Sequence, residues 1–239
     1  MPTAPPPATM ASTQQRLQQA VSLHQQGQLA LARKAYEEVL RLSPGHAGCL
    51  HMLGVVEAQT GRFEQAVALL QKARAAAPDD AGILSNLGGA YRELRRFDEA
   101  IECFAAAVRI APGFAQAHAN RGNLLSDAGR HDEALAAFDQ VVALAPADAV
   151  GHHGRGLVLH ALGRLTEAQD ALDRAVTLAP RVAAYRFALA DVLRAQGMFD
   201  AALSGYDAAL ALDPRHVRAH AHRGVVLQDG KVLLVREVR

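Results

Sequence analysis

Every 34 residues the chain returns to the same order of small, bulky and turn-forming side chains. Six prolines mark the pitch: Pro44, Pro78, Pro112, Pro146, Pro180 and Pro214. With that proline as position 32, units begin at Thr13, Ala47, Ala81, Ala115, Ala149 and Ala183, and an incomplete one begins at Val217. Position 8 is Ala20, Gly54, Gly88, Gly122, Gly156, Ala190 and Gly224, a column with little or no side chain. Position 20 is alanine in all six full units, and position 24 is large: Tyr36, Leu70, Phe104, Phe138, Leu172 and Tyr206. Glycine inside a helix costs about 1 kcal/mol relative to alanine, so a glycine column needs a compensating gain. Close approach of two helices supplies it, with the large position-24 side chain filling the remaining space. Glycine at position 15 (Gly27, Gly61, Gly129, Gly163, Gly197) follows a helical stretch of about 14 residues, where a left-handed closing residue is wanted. Each unit therefore predicts a helix hairpin, and a hairpin that cannot bury its apolar stripe alone stacks on its neighbours.

These columns resemble the tetratricopeptide repeat, over residues 13 to 229. The run LGVVEAQTGRFEQAVALLQKARAAAP, Leu53 to Pro78, holds that family's Leu-Gly, Gly, Ala, Ala and Pro in order. The resemblance implies an all-α fold, a right-handed superhelical solenoid of antiparallel helix hairpins with six full repeats and a partial seventh, its first helices lining a concave wall. The repeats are expected at 13–46, 47–80, 81–114, 115–148, 149–182, 183–216 and 217–229, with a disordered Pro-rich tail over 1–12 and an irregular or strand-like tail over 230–239. Two columns depart from the family pattern. Its aromatic at position 4 is here Arg16, Leu50, Leu84, His118, His152, Arg186 or His220, and position 11, mostly leucine, holds Tyr91 and the outlier Glu57. Somewhat looser packing inside each unit is the expected result.

Composition narrows the function classes. Half the 239 residues are hydrophobic and 21% are charged, which is globular. A formal net charge of +1, few aromatics and no tryptophan provide neither a basic field nor stacking platforms for nucleic acid. Two cysteines, Cys49 and Cys103, make no disulfide framework and fit a reducing compartment. The first 15 residues lack the basic and apolar parts of a secretory signal, and no stretch is long and apolar enough to span a bilayer. The expectation is a cytoplasmic protein with no membrane insertion, no nucleic-acid partner and no cofactor.

Candidate chemistry dissolves into the repeat. Asp98-Glu99 and Asp132-Glu133 look like paired catalytic carboxylates, but they recur in register at the start of second helices, facing the positive end of the helix dipole. GHHGRG, from Gly151 to Gly156, is not a phosphate-loop pattern, and Gly156 is the position-8 spacer. Among 11 histidines, His216 and His220 are four apart, yet His216 precedes the helix and no cysteine or carboxylate completes a metal set. No catalytic residue, and so no enzyme, is expected.

In the family, first-helix positions 2, 5, 6, 9, 12 and 13 face the ligand. Carried over, they give Asn86, Arg92, Asn120, Asn123, Ser126, His153, His160 and Arg194 as groove residues, with Asp191 among them and His51 and Gln59 nearer the start. Asn86 and Asn120 share position 6, where a carboxamide offers donor and acceptor to a peptide backbone. That pair is similar to the asparagine ladder in the repeat domain of O-linked N-acetylglucosamine transferases. The expected function is a scaffold binding an extended or helical peptide. The alternative is the substrate-recognition portion of a glycosyltransferase of that type, with catalysis outside this chain. The lysines with which chaperone adaptors of this family clamp a terminal carboxylate are missing at position 5. Self-association through the unpaired helix from Val217 is compatible with both readings.

Overall fold

A computed structural model describes the backbone of residues 7–237 and the side chains of residues 13–228. The described residues form 13 α-helices and no strand. They run α1 (Pro7–Gln25), α2 (Leu29–Leu42), α3 (Ala47–Gln59), α4 (Phe63–Ala76), α5 (Ala81–Glu93), α6 (Phe97–Ile110), α7 (Ala115–Asp127), α8 (His131–Leu144), α9 (Ala149–Ala161), α10 (Leu165–Leu178), α11 (Ala183–Ala195), α12 (Phe199–Leu212) and α13 (Val217–Glu237). From α3 onward every odd-numbered helix starts at the residue where the column count begins a unit. The chain divides into two compact units between Ala117 and His118, within α7. In the first unit α1 packs on α2, α3 on α4 and α5 on α6; in the second, α9 packs on α10 and α11 on α12. Within each unit, successive hairpins pack through helix pairs such as α4 with α5 and α10 with α11.

The columns form the core. Every position-20 alanine is fully buried, and Tyr36, Leu70, Phe104, Phe138, Leu172 and Tyr206 are at most 1% exposed. A Cβ on Gly54 would stand 2.7 Å from Leu70 Cγ, and one on Gly156 would stand 2.5 Å from Leu172 Cγ. Gly88 and Gly122 meet Phe104 and Phe138 in the same way. The glycines thus remove steric bulk where a position-24 side chain enters. At position 15, Gly27, Gly61, Gly129, Gly163 and Gly197 have φ between 72° and 80°. Arg95 takes the same place with φ 59°, the single non-glycine residue of positive φ among the described residues.

Of the two expected tails, residues 1–6 and 238–239 lie outside the described residues, and the backbone of the rest is helical. Helix α1 begins at Pro7, inside the tail expected to be disordered, with a proline in the first turn, where its missing N–H costs nothing. Helix α13 runs to Glu237 through the stretch expected to be irregular or strand-like. A helix already nucleated propagates at low cost through the Lys, Leu, Arg and Glu of KVLLVRE, and without a position-15 glycine nothing turns it.

The two unusual columns are resolved by hydrogen bonds. His152 Nε2 lies 3.0 Å from the Pro146 carbonyl, His220 Nε2 lies 2.9 Å from that of Pro214, and Arg186 Nε donates to that of Pro180 at 3.1 Å. In these three units a polar position 4 ties its helix to the preceding turn. Glu57, 3% exposed, accepts from Arg33 Nε at 2.9 Å and from Arg62 Nε. Arg62 holds position 16, where Arg96, Arg130 and Arg164 pair three residues on with Glu99, Glu133 and Glu167. In Arg62's unit that partner is Gln65, and Glu57 takes over as the counter-charge.

Candidate functional site

The first helices carry the groove positions, and within the first unit they enclose a hollow of about 530 Å³. Val21, His24 and Gln25 of α1, Leu29 and Tyr36 of α2, and Met52 and Gln59 of α3 line it, with Gly27 at the turn. Val21, His24 and Gln25 are positions 9, 12 and 13 of their unit, and Met52 and Gln59 are positions 6 and 13 of theirs. Helical periodicity puts these on one side of each helix. Inside the hollow His24 Nε2 lies 3.0 Å from Gln59 Oε1, so that nitrogen donates and Nδ1 remains an acceptor. The Tyr36 hydroxyl lies 3.5 Å from that Nδ1, and the two rings meet edge to face with centroids 6.2 Å apart. Burial, with a contribution from Cys49, pushes the Tyr36 phenol up to about 12, so it stays a neutral donor. The result is an apolar-walled recess crossed by a hydrogen-bonded bar.

Further along the same unit, Asn86 is exposed on α5 and its Nδ2 lies 2.7 Å from His51 Nε2 on α3. Burial holds the His51 imidazole below its usual range, against the opposing pull of Asp80, which keeps Nε2 available as an acceptor. Asn86 is therefore already engaged on one side and keeps its carbonyl for another partner. Arg92, also on α5, turns to its neighbour Glu93, with Nη2 at 2.9 Å and Nε at 3.2 Å from Oε1.

The remaining expected groove residues belong to the second unit. On α7 Asn120 and Ser126 are half-buried and Asn123 is exposed; on α9 His153 and His160 are half-buried. His153 lies against Tyr185 of α11 with ring centroids 4.5 Å apart, and burial lowers its imidazole to about 4. It is a neutral aromatic surface at physiological pH rather than a cation. Gly154, at position 6 beside it, has no room for a side chain, since a Cβ would stand 2.2 Å from Phe138 Cε1.

Arg194, on α11, joins a network that the sequence columns did not reveal. The Tyr206 hydroxyl donates to Asp191 Oδ1 at 2.6 Å, and His222 Nδ1 meets the same oxygen at 2.6 Å. Arg194 hydrogen-bonds the Tyr206 hydroxyl, and its buried Nε has no partner. Burial, followed by the bond to Asp191, raises the Tyr206 phenol further above its ordinary value. Phe187 lies beside this chain, 5.3 Å from the His222 ring and 4.7 Å from the His216 ring, with the Arg218 guanidinium 4.9 Å above its face. Tyr206 and His222 were missed because Tyr206 reads as the position-24 core residue and His222 as one more member of a mixed column. The detectable signal is the 31-residue separation of Asp191 and His222, which joins position 9 of one unit to position 6 of the next.

These arrangements suit binding more than bond chemistry. The carboxylates at the second-helix starts are paired, Glu99 with Arg96, Glu133 with Arg130 and Glu167 with Arg164, and each arginine hydrogen bond holds its glutamate below the usual range. Both thiols are buried, and desolvation raises Cys49 to about 12 and Cys103 to about 11, which leaves little thiolate for nucleophilic attack. Among the described residues no three His, Cys, Asp or Glu side chains are grouped to hold a metal ion, and no helix is long and apolar enough to cross a membrane.

Two family models described as tetratricopeptide repeat match the chain. One covers residues 23–87 and 58–124, and the other covers residues 119–183, 153–214 and 187–232. None of the curated proteins matches the sequence. Solved structures similar to it include PilF of Pseudomonas aeruginosa, 18% identical, covering 91% of this chain and 99% of that one with a TM-score of 0.78. YrrB, whose structure is described as a TPR protein with an unusual peptide-binding site, is 20% identical over 80% of this chain and 99% of its own, with a TM-score of 0.69. MamA of Desulfovibrio magneticus RS-1, residues 41 to the end, is 22% identical over 71% and 96%, with a TM-score of 0.67.

Proposed function

Because the chain belongs to the tetratricopeptide repeat family, we propose that it is a protein-interaction scaffold whose first-helix faces hold a peptide segment of another protein. The observation that carries this reading is the hollow of the first unit. Its apolar walls, Val21, Leu29 and Met52, suit a hydrophobic side chain, and the His24–Gln59 pair beside them offers hydrogen bonds to a backbone. A peptide-binding site in the structurally similar YrrB supports the same use of the fold. In the first unit Asn86 adds a carboxamide for backbone capture; in the second, taken by itself, Asn120 offers the same group and Arg194 and Arg218 suit acidic groups.

Photocrosslinking tests the proposal. A photoreactive side chain at Met52 should trap a polypeptide from extracts of the source cell, and the same group at the exposed Ala68 of α4 should not. With the trapped segment made as a synthetic peptide, Asn86→Ala should weaken binding by up to about tenfold and leave the melting midpoint unchanged. Equal trapping at both positions, or unaltered affinity of the Asn86→Ala variant, would overturn the assignment.

A further inference from the structure

The hollow of the first unit is lined without charge. Its walls are apolar or end in an amide, imidazole or phenol, and none of the residues lining it is Asp, Glu, Lys or Arg. The same holds for the groove positions of α1 and α3 as a whole. Each of those helices carries one carboxylate or guanidinium, and each is taken up by partners outside α1 and α3. Arg16 of α1 pairs with Glu38 at 2.7 Å, and Glu57 of α3 is held by Arg33 and Arg62. On α5, Arg92 is matched by Glu93 at 2.9 Å.

The polar bar across the hollow also has a direction. Gln59 Oε1 accepts from His24 Nε2 at 3.0 Å, so the other end of the carboxamide, Nε2, presents two N–H groups that have no acceptor among the described residues. His24 Nδ1 faces the Tyr36 hydroxyl at 3.5 Å and has no proton to give. The recess thus sets hydrogen-bond donors beside an apolar wall, with no counter-charge for an ion.

We propose that Gln59 sets the specificity of this hollow, its carboxamide N–H groups donating to a backbone carbonyl of an uncharged peptide segment whose apolar side chain lies against Val21, Leu29 and Met52. The inference rests on the peptide-binding reading and adds to it the class of segment bound. A charged side chain entering the hollow would give up its hydration and gain no opposite charge, whereas an amide carbonyl gains a donor. A segment held in this way makes no ion pair, so its affinity does not depend on salt.

The probe is a random peptide library displayed on phage and selected on the intact chain. Clones are kept that bind neither Met52→Arg nor Gln25→Trp, which fill the hollow from its wall and from its exposed rim; the rim position carries no packing, so that variant keeps the fold. The kept clones should share an apolar residue with no Asp, Glu, Lys or Arg beside it. Made as synthetic peptides, they should bind equally at low and high salt, and Gln59→Leu and Gln59→Glu should each weaken them about tenfold. Gln59→Glu keeps the acceptor for His24 and loses the N–H donors, and because Gln59 is exposed neither variant should lower the melting midpoint. A recurring acidic or basic residue in the selected segment, affinity that falls with salt, or undiminished binding to Gln59→Leu would overturn the inference and leave the peptide-binding reading in place. A library yielding no clone blocked at the hollow would overturn that reading, and the inference with it.

Discussion

Arg95 shows what one residue costs the array. Left-handed backbone is disfavoured by about 1–2 kcal/mol for a residue with a Cβ, and the five other turns at this position use glycine. The Arg95 guanidinium, 5.7 Å from the centre of the Phe97 ring, recovers part of that. Arg95→Gly should therefore stabilise the chain by about 1 kcal/mol, read as a raised urea or thermal midpoint; a lowered midpoint would show that the ring contact outweighs the strain. His153 makes a second prediction. Its folded imidazole titrates near 4, below the ordinary 6.5, so the unfolded chain takes up the proton first as acid is added. Its contribution is complete above pH 6.5 and is lost as the pH falls towards 4, a loss of roughly 1–3 kcal/mol. Replacing His153 by glutamine should flatten the midpoint-against-pH curve across that window.

At the level of the helix, two hairpin junctions share a cross-link invisible in any one column. Arg155 Nε pairs with Asp139 at 2.7 Å and Arg223 Nε with Asp207 at 2.6 Å, each joining position 25 of one unit to position 7 of the next. Asp173 occupies position 25 between them, but the facing residue is Leu189. Burial raises the Asp173 carboxyl above its ordinary range, with Gln169 opposing through a hydrogen bond. Leu189→Arg should bring Asp173 below its present value in a carboxyl NMR titration. Because the pair is solvent-accessible and some apolar contact is lost, net stability should change by less than about 1 kcal/mol. An Asp173 titration unaffected by the substitution would refute the idea of a repeating pair.

Across the whole chain, what could be read from sequence depended on whether a residue's meaning was local. Helix starts at Ala47, Ala81, Ala115, Ala149, Ala183 and Val217 follow from counting, because turn glycines and size alternation act within one hairpin. Counting does not set the reach of α1 and α13, since propensity at an end is weak and what decides is the lack of a signal to stop. The site was legible only in outline. Groove positions could be counted along the first helices, but His24, Tyr206 and His222 gain their roles from residues 12 to 35 positions away that a single column does not display. The uniform pitch has a consequence for how such a gene can change. Losing or copying a segment of 34 residues at any point within the array returns every alanine, glycine and bulky side chain to an equivalent seat, whereas a change of any other length within a helix rotates all that follows out of its seat. Length is thus the one property of this molecule that can vary in whole steps while its interior stays the same.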